Sequence, residues 1–394
     1  MNLPSSGLSV KRRRDVRLDF ARGLALVFMY IDHIPANPLE RLTLQGWFVS
    51  DAAEVFVFVA GYAAGLAYGG RLVHNGMKAA VEQIWRRSAQ IYLVHLALFA
   101  ICAGLLALAA AYLGKPLLAE WLSSPDYPAH PGALLLRILL LECQPGYLGI
   151  LPLYVFVLLL FPLALWAMRR NVLLALLPSF LLYALTQATG LNLPASTPTG
   201  GWSFDPFAWQ FLFVVGSCAS YARVSAAWSL PGRGRIHRRL LILATAIVAA
   251  AIVLKLLLSS HVIGTNGGFF HYLFAATNKQ LLAPPRLVSI LGLVLLGALL
   301  VPRDPPVLAT QSATVLGSLG QNSLKVFGLT VVLIVLGIIF TRAVGTAWWT
   351  IAVLNIGGIL AILGFSLCLA QAVPARRLAT RAAPSAPPPS PRPI

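Results

Sequence analysis

The stretch that decides the fold is residues 15–35, DVRLDFARGLALVFMYIDHIP, an apolar segment that nevertheless carries Asp19, Arg22, Asp32 and His33. At about 100° per residue, Asp19, Arg22 and His33 fall on one side of a helix. Arg22 and His33 are then separated by about 16 Å along its axis, roughly half of the hydrocarbon thickness of a bilayer. A polar stripe of this kind predicts the wall of a cavity rather than a surface that faces lipid.

The composition indicates a membrane protein. Of the 394 residues, 58% are hydrophobic and only 11% are charged, whereas about a quarter of the residues of a soluble domain are charged. The net charge of +18 comes from short runs of Lys and Arg between apolar segments. The positive-inside rule produces this distribution, so a nucleic-acid partner is not expected. The four cysteines stand singly, without the CxxC spacing of a metal or redox site.

The sequence predicts an all-α, polytopic integral membrane protein with about ten transmembrane helices and both termini in the cytoplasm. Residues 1–14 form a basic cytoplasmic segment, residues 15–373 the membrane domain, and residues 374–394 a disordered, Pro-rich cytoplasmic tail. The helices are predicted over 18–36, 51–69, 88–113, 148–168, 171–190, 206–222, 239–258, 286–301, 322–341 and 346–370. Segment 71–87 is predicted to be a separate amphipathic surface helix, and segment 133–143 to be re-entrant or peripheral because it is short.

The buried charges of the first two helices are the candidates for chemistry, because one charge at mid-membrane costs about 3 kcal/mol. They are Asp19, Arg22, Asp32, His33, Asp51 and Glu54. His33 suits general base catalysis, since an imidazole pKa of about 6.5 leaves it able to accept a proton at neutral pH, and Asp32 or Glu54 would orient it. The alternative is structural: an Asp19–Arg22 ion pair at the cytoplasmic rim, with Asp32 and His33 capping the external end. No GxSxG motif is present, which favours direct transfer over a covalent acyl-enzyme.

Six motifs carry a family resemblance. They are RDVRLDFARGLALVFMYIDHIP, SDAAEVFVFVAGYAAGLAYG, PGYLGILPLY, FDPFAWQFLFVVG, HYLFAATNKQLLAPPR and LGQNSLKVF. In this order they resemble the OpgC family, which looks like a branch of the membrane acyltransferase 3 superfamily. The resemblance implies an O-succinyltransferase of the bacterial inner membrane that transfers succinyl groups from cytoplasmic succinyl-CoA to osmoregulated periplasmic glucans.

The resemblance also implies roles for individual residues. The superfamily's Arg and His, with ten residues between them, match Arg22 and His33. His33 would act as the catalytic base, and Arg22 would contact the donor or organise the site. Asp32 and Glu54 are the other predicted catalytic residues, beside His33. The predicted donor-binding residues are Asp19, Arg22, Arg86 and Arg87. The predicted acceptor-side residues are Asp51, Asp205, Asn278, Lys279 and Arg286, and no metal is expected. Lys279 or Arg286 would pair with the succinyl carboxylate or else anchor the chain at the interface.

Other functions stay open at this point. One is acyl transfer to another envelope polysaccharide or to a lipid-linked sugar, and the sequence departs from the family pattern on the acceptor side at Gly149 and Ser289. Another is proton-coupled transport through a relay of Asp19, Arg22, Asp32 and Glu54. The expected partners are acyl-CoA, a periplasmic glucan and the lipid bilayer, with no nucleic acid, and a homodimer is an option that the sequence leaves open.

Overall fold

A computed structural model describes residues 15–124, 127–196, 200–224, 234–259, 277–302 and 305–382. Helices are the regular secondary structure of these residues, which form no β-sheet, so the predicted all-α class is confirmed. The helices of nine or more residues are α1 Val16–Asp32, α2 Ala52–Leu113, α3 Pro131–Leu139, α4 Ile150–Arg170, α5 Val172–Thr189, α6 Pro206–Val224, α7 Arg235–Ser259, α8 Pro284–Leu300, α9 Gln311–Gln321, α10 Ser323–Val344 and α11 Trp348–Ala382.

Six of the described helices, α2, α4, α5, α7, α10 and the Trp348–Leu369 part of α11, are long and apolar enough to cross a membrane. The protein is therefore a multi-pass membrane protein. Helix α8 is a shorter apolar helix, and α1, with 17 residues, is also short. The count of ten spans and the cytoplasmic position of both termini stay predictions.

Helix α2 breaks at Gly76. A straight helix of its 62 residues would be about 93 Å long, about three times the thickness of the hydrocarbon core. Gly76 has φ 79° and ψ 174°, a conformation that glycine adopts without steric strain. The separate amphipathic helix predicted over 71–87 was wrong: residues 71–75 end the first part of α2 and residues 77–87 begin its second part. Apart from Gly76, this segment has no residue that stops a helix.

Other boundaries differ from the prediction for local reasons. Helix α1 ends at Asp32, before the predicted residue 36, and Pro35 follows closely. Helix α9, with the sequence QSATVLGSLGQ, was not predicted because its Gln, Ser and Thr residues hide the apolar periodicity. Segment 133–143 overlaps α3, whose nine residues reach only about 13 Å. Helix α11 extends to Ala382, into the segment for which a disordered tail is predicted.

Helix α1 packs against α2, α9, α10 and α11, and most closely against α9. A Cβ on Gly23 would lie 1.9 Å from the carbonyl oxygen of Leu316, and one on Gly320 would lie 1.9 Å from that of Asp19. The two backbones therefore approach each other through glycines, as small residues allow in membrane helices. This contact fixes the position of α1 along α9, and with it the positions of Asp19, Arg22 and the rest of the polar stripe.

Candidate active site

His33 lies at the C-terminal end of α1 and is partly buried. Its Nδ1 is 2.6 Å from the carbonyl oxygen of Met29. Because a carbonyl only accepts hydrogen bonds, Nδ1 carries the proton of the neutral ring and Nε2 keeps its lone pair. The ring also packs edge-on against Tyr147, with 4.4 Å between the centroids. His33 is thus held in a tautomer that can accept a proton at Nε2.

Neither of the carboxylates predicted to orient His33 hydrogen-bonds to it in the part of the chain that the structure describes. Asp32 accepts a hydrogen bond of 2.5 Å from the hydroxyl of Thr43, and Glu54 binds Arg286. The orienting partner is instead the backbone of Met29, four residues before His33. This contact is local to the helix end, where carbonyl groups have no partner within the helix.

Four charged side chains form a cluster at the start of α2, in which Asp51, Glu54 and Arg286 are buried and Lys279 is partly exposed. Arg286 donates from Nε to Glu54 at 2.7 Å and from Nη2 to Asp51 at 3.1 Å. The ammonium of Lys279 is 2.6 Å from Asp51. Glu54 is fully buried and also accepts the backbone N–H of Asp51 at 2.8 Å, which completes a capping box with that residue. Two positive and two negative side chains therefore join α8 and its preceding loop to α2.

This cluster changes the expected roles of its members. Burial raises the pKa of Asp51, but the charges of Lys279 and Arg286 outweigh burial and lower it below its ordinary value. Arg286 is 8% exposed and is engaged by both carboxylates, so its role is to hold the cluster together. Lys279 is different, because 38% of its side chain is exposed and its ammonium lies 5.6 Å from the ring centre of Phe204. Of the two, Lys279 is the cation that a ligand can reach.

A cavity of about 210 Å³ lies between α1, α2, α4, α6 and α10. Two of the predicted donor-binding residues line it, Arg22 from α1 and Arg87 from α2. Arg22 donates to the carbonyl oxygen of Val59 at 3.3 Å. The remaining lining is mostly apolar and includes Phe56, four alanines of α2, Leu151, Leu158 and Phe213. The structure therefore brings two guanidinium groups to the wall of one narrow cavity.

The other two predicted donor-binding residues lie elsewhere. Asp19 is buried at 5% exposure beside the close contact with Gly320, and it is not part of the cavity lining. Arg86 is exposed and forms an ion pair of 2.6 Å with Glu82, one helical turn away. His33 is not a lining residue either; it lies at the opposite end of α1, about 16 Å from Arg22 along the axis.

Asp205 and Asn278 have local structural contacts. Asp205 is fully buried and accepts the backbone N–H of Phe207 at 2.8 Å, which caps the start of α6. Its second carboxylate oxygen has no hydrogen-bond partner among the described residues, and burial raises its pKa above the ordinary value. Asn278 accepts the N–H of Leu281 at 3.4 Å. These contacts shape the two loops that precede α6 and α8, and Asn278 remains exposed.

Sequence reasoning missed several residues that the structure brings to these sites. Tyr147 contacts His33, and Tyr154 lines the cavity beside Arg22. Ser50 contacts the Ser289 hydroxyl and donates to the carbonyl oxygen of Arg286 at 2.9 Å. Tyr154 follows Leu151 by three residues and precedes Leu158 by four, so the three residues share one face of α4. The hydroxyl of Tyr154 on this otherwise apolar face was the sequence signal that could have identified it. Among the described residues, no group of three or more His, Cys, Asp or Glu side chains is placed to hold a metal ion.

The fold and these sites define a class: a helical, multi-pass membrane protein with a partly buried histidine and a cavity lined by arginines. The chain belongs to the OpgC protein family, whose model matches residues 14–373. Membership of this family indicates a transferase role in glucan modification. Comparisons with curated proteins and with solved structures gave no match.

Proposed function

We propose that this protein is a membrane-bound O-acyltransferase that moves a succinyl group from cytoplasmic succinyl-CoA to hydroxyl groups of periplasmic glucans. The observation that carries the proposal is the hydrogen bond of 2.6 Å between Nδ1 of His33 and the carbonyl oxygen of Met29. It leaves Nε2 as the proton acceptor that a general base needs. Family membership supports the glucan as the acceptor.

In the proposed reaction, a glucan hydroxyl arrives from the periplasmic side and loses its proton to Nε2 of His33. Its oxygen attacks the thioester carbonyl, the C–S bond breaks, and an ester forms. The CoA thiolate leaves, and the imidazolium of His33 returns the proton to it. Only the acyl group has to cross the membrane, because donor and acceptor approach His33 from opposite sides.

The donor would bind along the basic side of the cavity. Arg86 lies at the surface in an ion pair with Glu82, and such exposed pairs contribute about 0–1 kcal/mol, so a phosphate can replace the carboxylate. Arg87 lines the cavity and is available to a second phosphate. The pantetheine arm would then pass Arg22 and carry the thioester towards His33.

Lys279 is the residue that we assign to the free carboxylate of the succinyl group. Its ammonium is the more exposed of the two cations in the cluster at the start of α2, and it belongs to the loop that we place on the acceptor side. Arg286 is not assigned this role because Asp51 and Glu54 already engage it. The negative charge of Asp51 would hold Lys279 in place until the substrate binds.

The test of the base is the variant His33→Ala, studied as purified protein with succinyl-CoA and periplasmic glucan. We expect CoA release that depends on glucan to fall by at least about 100-fold, the lower range of general base contributions. The protein should remain folded, since His33 is only partly buried. Free thiol is measured over time, and mass spectrometry detects the succinylated glucan.

His74→Ala is the matched control, because His74 is an exposed histidine on α2 and should leave the rate unchanged. Retained activity in His33→Ala would remove His33 from the base role. A panel of acyl-CoA donors and of other polysaccharide acceptors, tested with the unaltered protein, identifies the acyl group and the acceptor. Turnover of another acceptor in place of the glucan would contradict the acceptor assignment while leaving the chemistry intact.

A further inference from the structure

Tyr154 is a buried tyrosine whose hydroxyl has no hydrogen-bond partner in the described part of the chain. It lies on α4, is 7% exposed and lines the cavity that also holds Arg22 and Arg87. Its hydroxyl oxygen forms no hydrogen bond with any residue that the structure describes. A buried hydroxyl without a partner costs about 1–3 kcal/mol. A molecule that brought an acceptor into the cavity would remove this cost.

Two other buried tyrosines of the bundle have hydrogen-bond partners within the protein. Tyr30 donates to the carbonyl oxygen of Leu354 at 2.8 Å, and Tyr183 donates to that of Leu282 at 3.0 Å. The first part of α2 lines the cavity with the methyl groups of Ala60, Ala63, Ala64 and Ala67 and with the rings of Phe56 and Tyr68. The hydroxyl of Tyr68 is the one side-chain acceptor that this wall offers, and Tyr154 forms no hydrogen bond with it.

The shape and chemistry of the cavity restrict what would bind there. It is narrow, at about 210 Å³, and its polar lining is limited to the two arginines, two tyrosines and Ser323. A pantetheine arm is a narrow, uncharged chain with two amide groups, and its phosphates would remain near Arg87. Since Arg22 and His33 are about 16 Å apart along α1, a group beside Arg22 meets the arm and not the thioester.

We propose that Tyr154 is a positioning residue for the acyl donor, and that its hydroxyl donates a hydrogen bond to an amide carbonyl of the pantetheine arm. This inference rests on the proposed function, because it takes acyl-CoA as the donor. The hydrogen bond forms equally in the ground state and the transition state, so it contributes to donor binding and not to the chemical step. It also fixes how far the arm enters the membrane.

The variant Tyr154→Phe tests this role. With succinyl-CoA, we expect the KM for the donor to rise about fivefold, the effect of one lost hydrogen bond, while kcat and the KM for glucan stay within about twofold. The Kd of CoA itself, measured by titration calorimetry, should rise by a similar factor. Without ligand, the Tm of Tyr154→Phe should equal or exceed that of the unaltered protein, because an unpaired buried hydroxyl has been removed.

Tyr183→Phe is the matched control, since Tyr183 is equally buried but donates to a backbone carbonyl. It should show the opposite pattern, a lower Tm with an unchanged KM for succinyl-CoA. Unchanged donor KM and CoA affinity in Tyr154→Phe would overturn the inference, as would a fall in kcat alone or a lower Tm without ligand. Turnover by the unaltered protein separately decides the proposed function. If turnover is absent, the comparison of CoA affinities between the unaltered protein and Tyr154→Phe still decides the role of Tyr154. If neither protein binds CoA, the inference about Tyr154 is overturned.

Discussion

At the scale of single residues, Asp205 stabilises the start of α6 as a helix cap but also buries a carboxylate oxygen unfavourably. One carboxylate oxygen caps α6, while the other is buried and without a partner among the described residues. Burial raises the pKa of Asp205, so ionisation favours the unfolded state. The stability that its protonated form contributes is complete below the ordinary Asp pKa and is lost as the pH rises through the raised value.

We therefore predict that Asp205→Asn stabilises the protein at neutral pH, since an amide keeps the cap without the buried charge. The gain should be on the order of 1 kcal/mol, and the Tm difference from the unaltered protein should grow as the pH rises from about 4 towards neutral. Thermal unfolding in detergent at several pH values measures it. Asp205→Ala loses the cap as well as the buried charge, so it should be destabilised by about 1 kcal/mol near pH 4, with the loss partly offset as the pH rises towards neutral. A Tm difference independent of pH would contradict this explanation.

At the scale of helices, the contact between α1 and α9 depends on glycine. In Gly320→Ala, the new Cβ would lie 1.9 Å from the carbonyl oxygen of Asp19, so the backbones must separate. We expect a loss of about 1–3 kcal/mol, as in other overpacked interiors, measured as a lower Tm. Gly317→Ala on the same helix is the control, because nothing lies within 4 Å of its Cβ position. Its Tm should stay level or rise with the gain in helix propensity, and equal effects of the two variants would count against the packing argument.

The helices that the sequence predicted well are those with long apolar runs and clear ends. Helix α4 was predicted over 148–168 and found at Ile150–Arg170, where its basic residues end the apolar run. The hydrogen bond between His33 and the backbone of Met29 is local, yet the hydrophobicity pattern could not predict it, because it depends on a backbone carbonyl group. Partners such as Glu54 and Arg286, 232 residues apart in the chain, depend on tertiary packing. The sequence therefore identified the charged residues as a group without pairing them.

At the scale of the whole molecule, the predicted orientation is open to a direct test. Ser5→Cys, Asn278→Cys and Ser385→Cys are introduced singly into a protein that carries Cys368→Ser, the other three native cysteines being buried. With a membrane-impermeant maleimide on spheroplasts, we expect labelling at position 278 only, because the basic flanks place both termini in the cytoplasm. After the membrane is permeabilised, all three positions should react. Labelling of position 5 or 385 before permeabilisation would reverse or break the predicted topology.

The cluster of Asp51, Glu54, Lys279 and Arg286 has a consequence for how this sequence can evolve. Its two positive and two negative charges balance one another, and removing one of the three buried members, Asp51, Glu54 or Arg286, costs about 3–5 kcal/mol, as in other buried ion pairs. A single substitution at one of these buried residues would therefore remove a large part of the free energy of unfolding of an ordinary domain. Paired changes that remove one acid and one base together avoid this penalty. The start of α2 and the loop before α8 are therefore expected to change in step over generations, although more than 200 residues separate them.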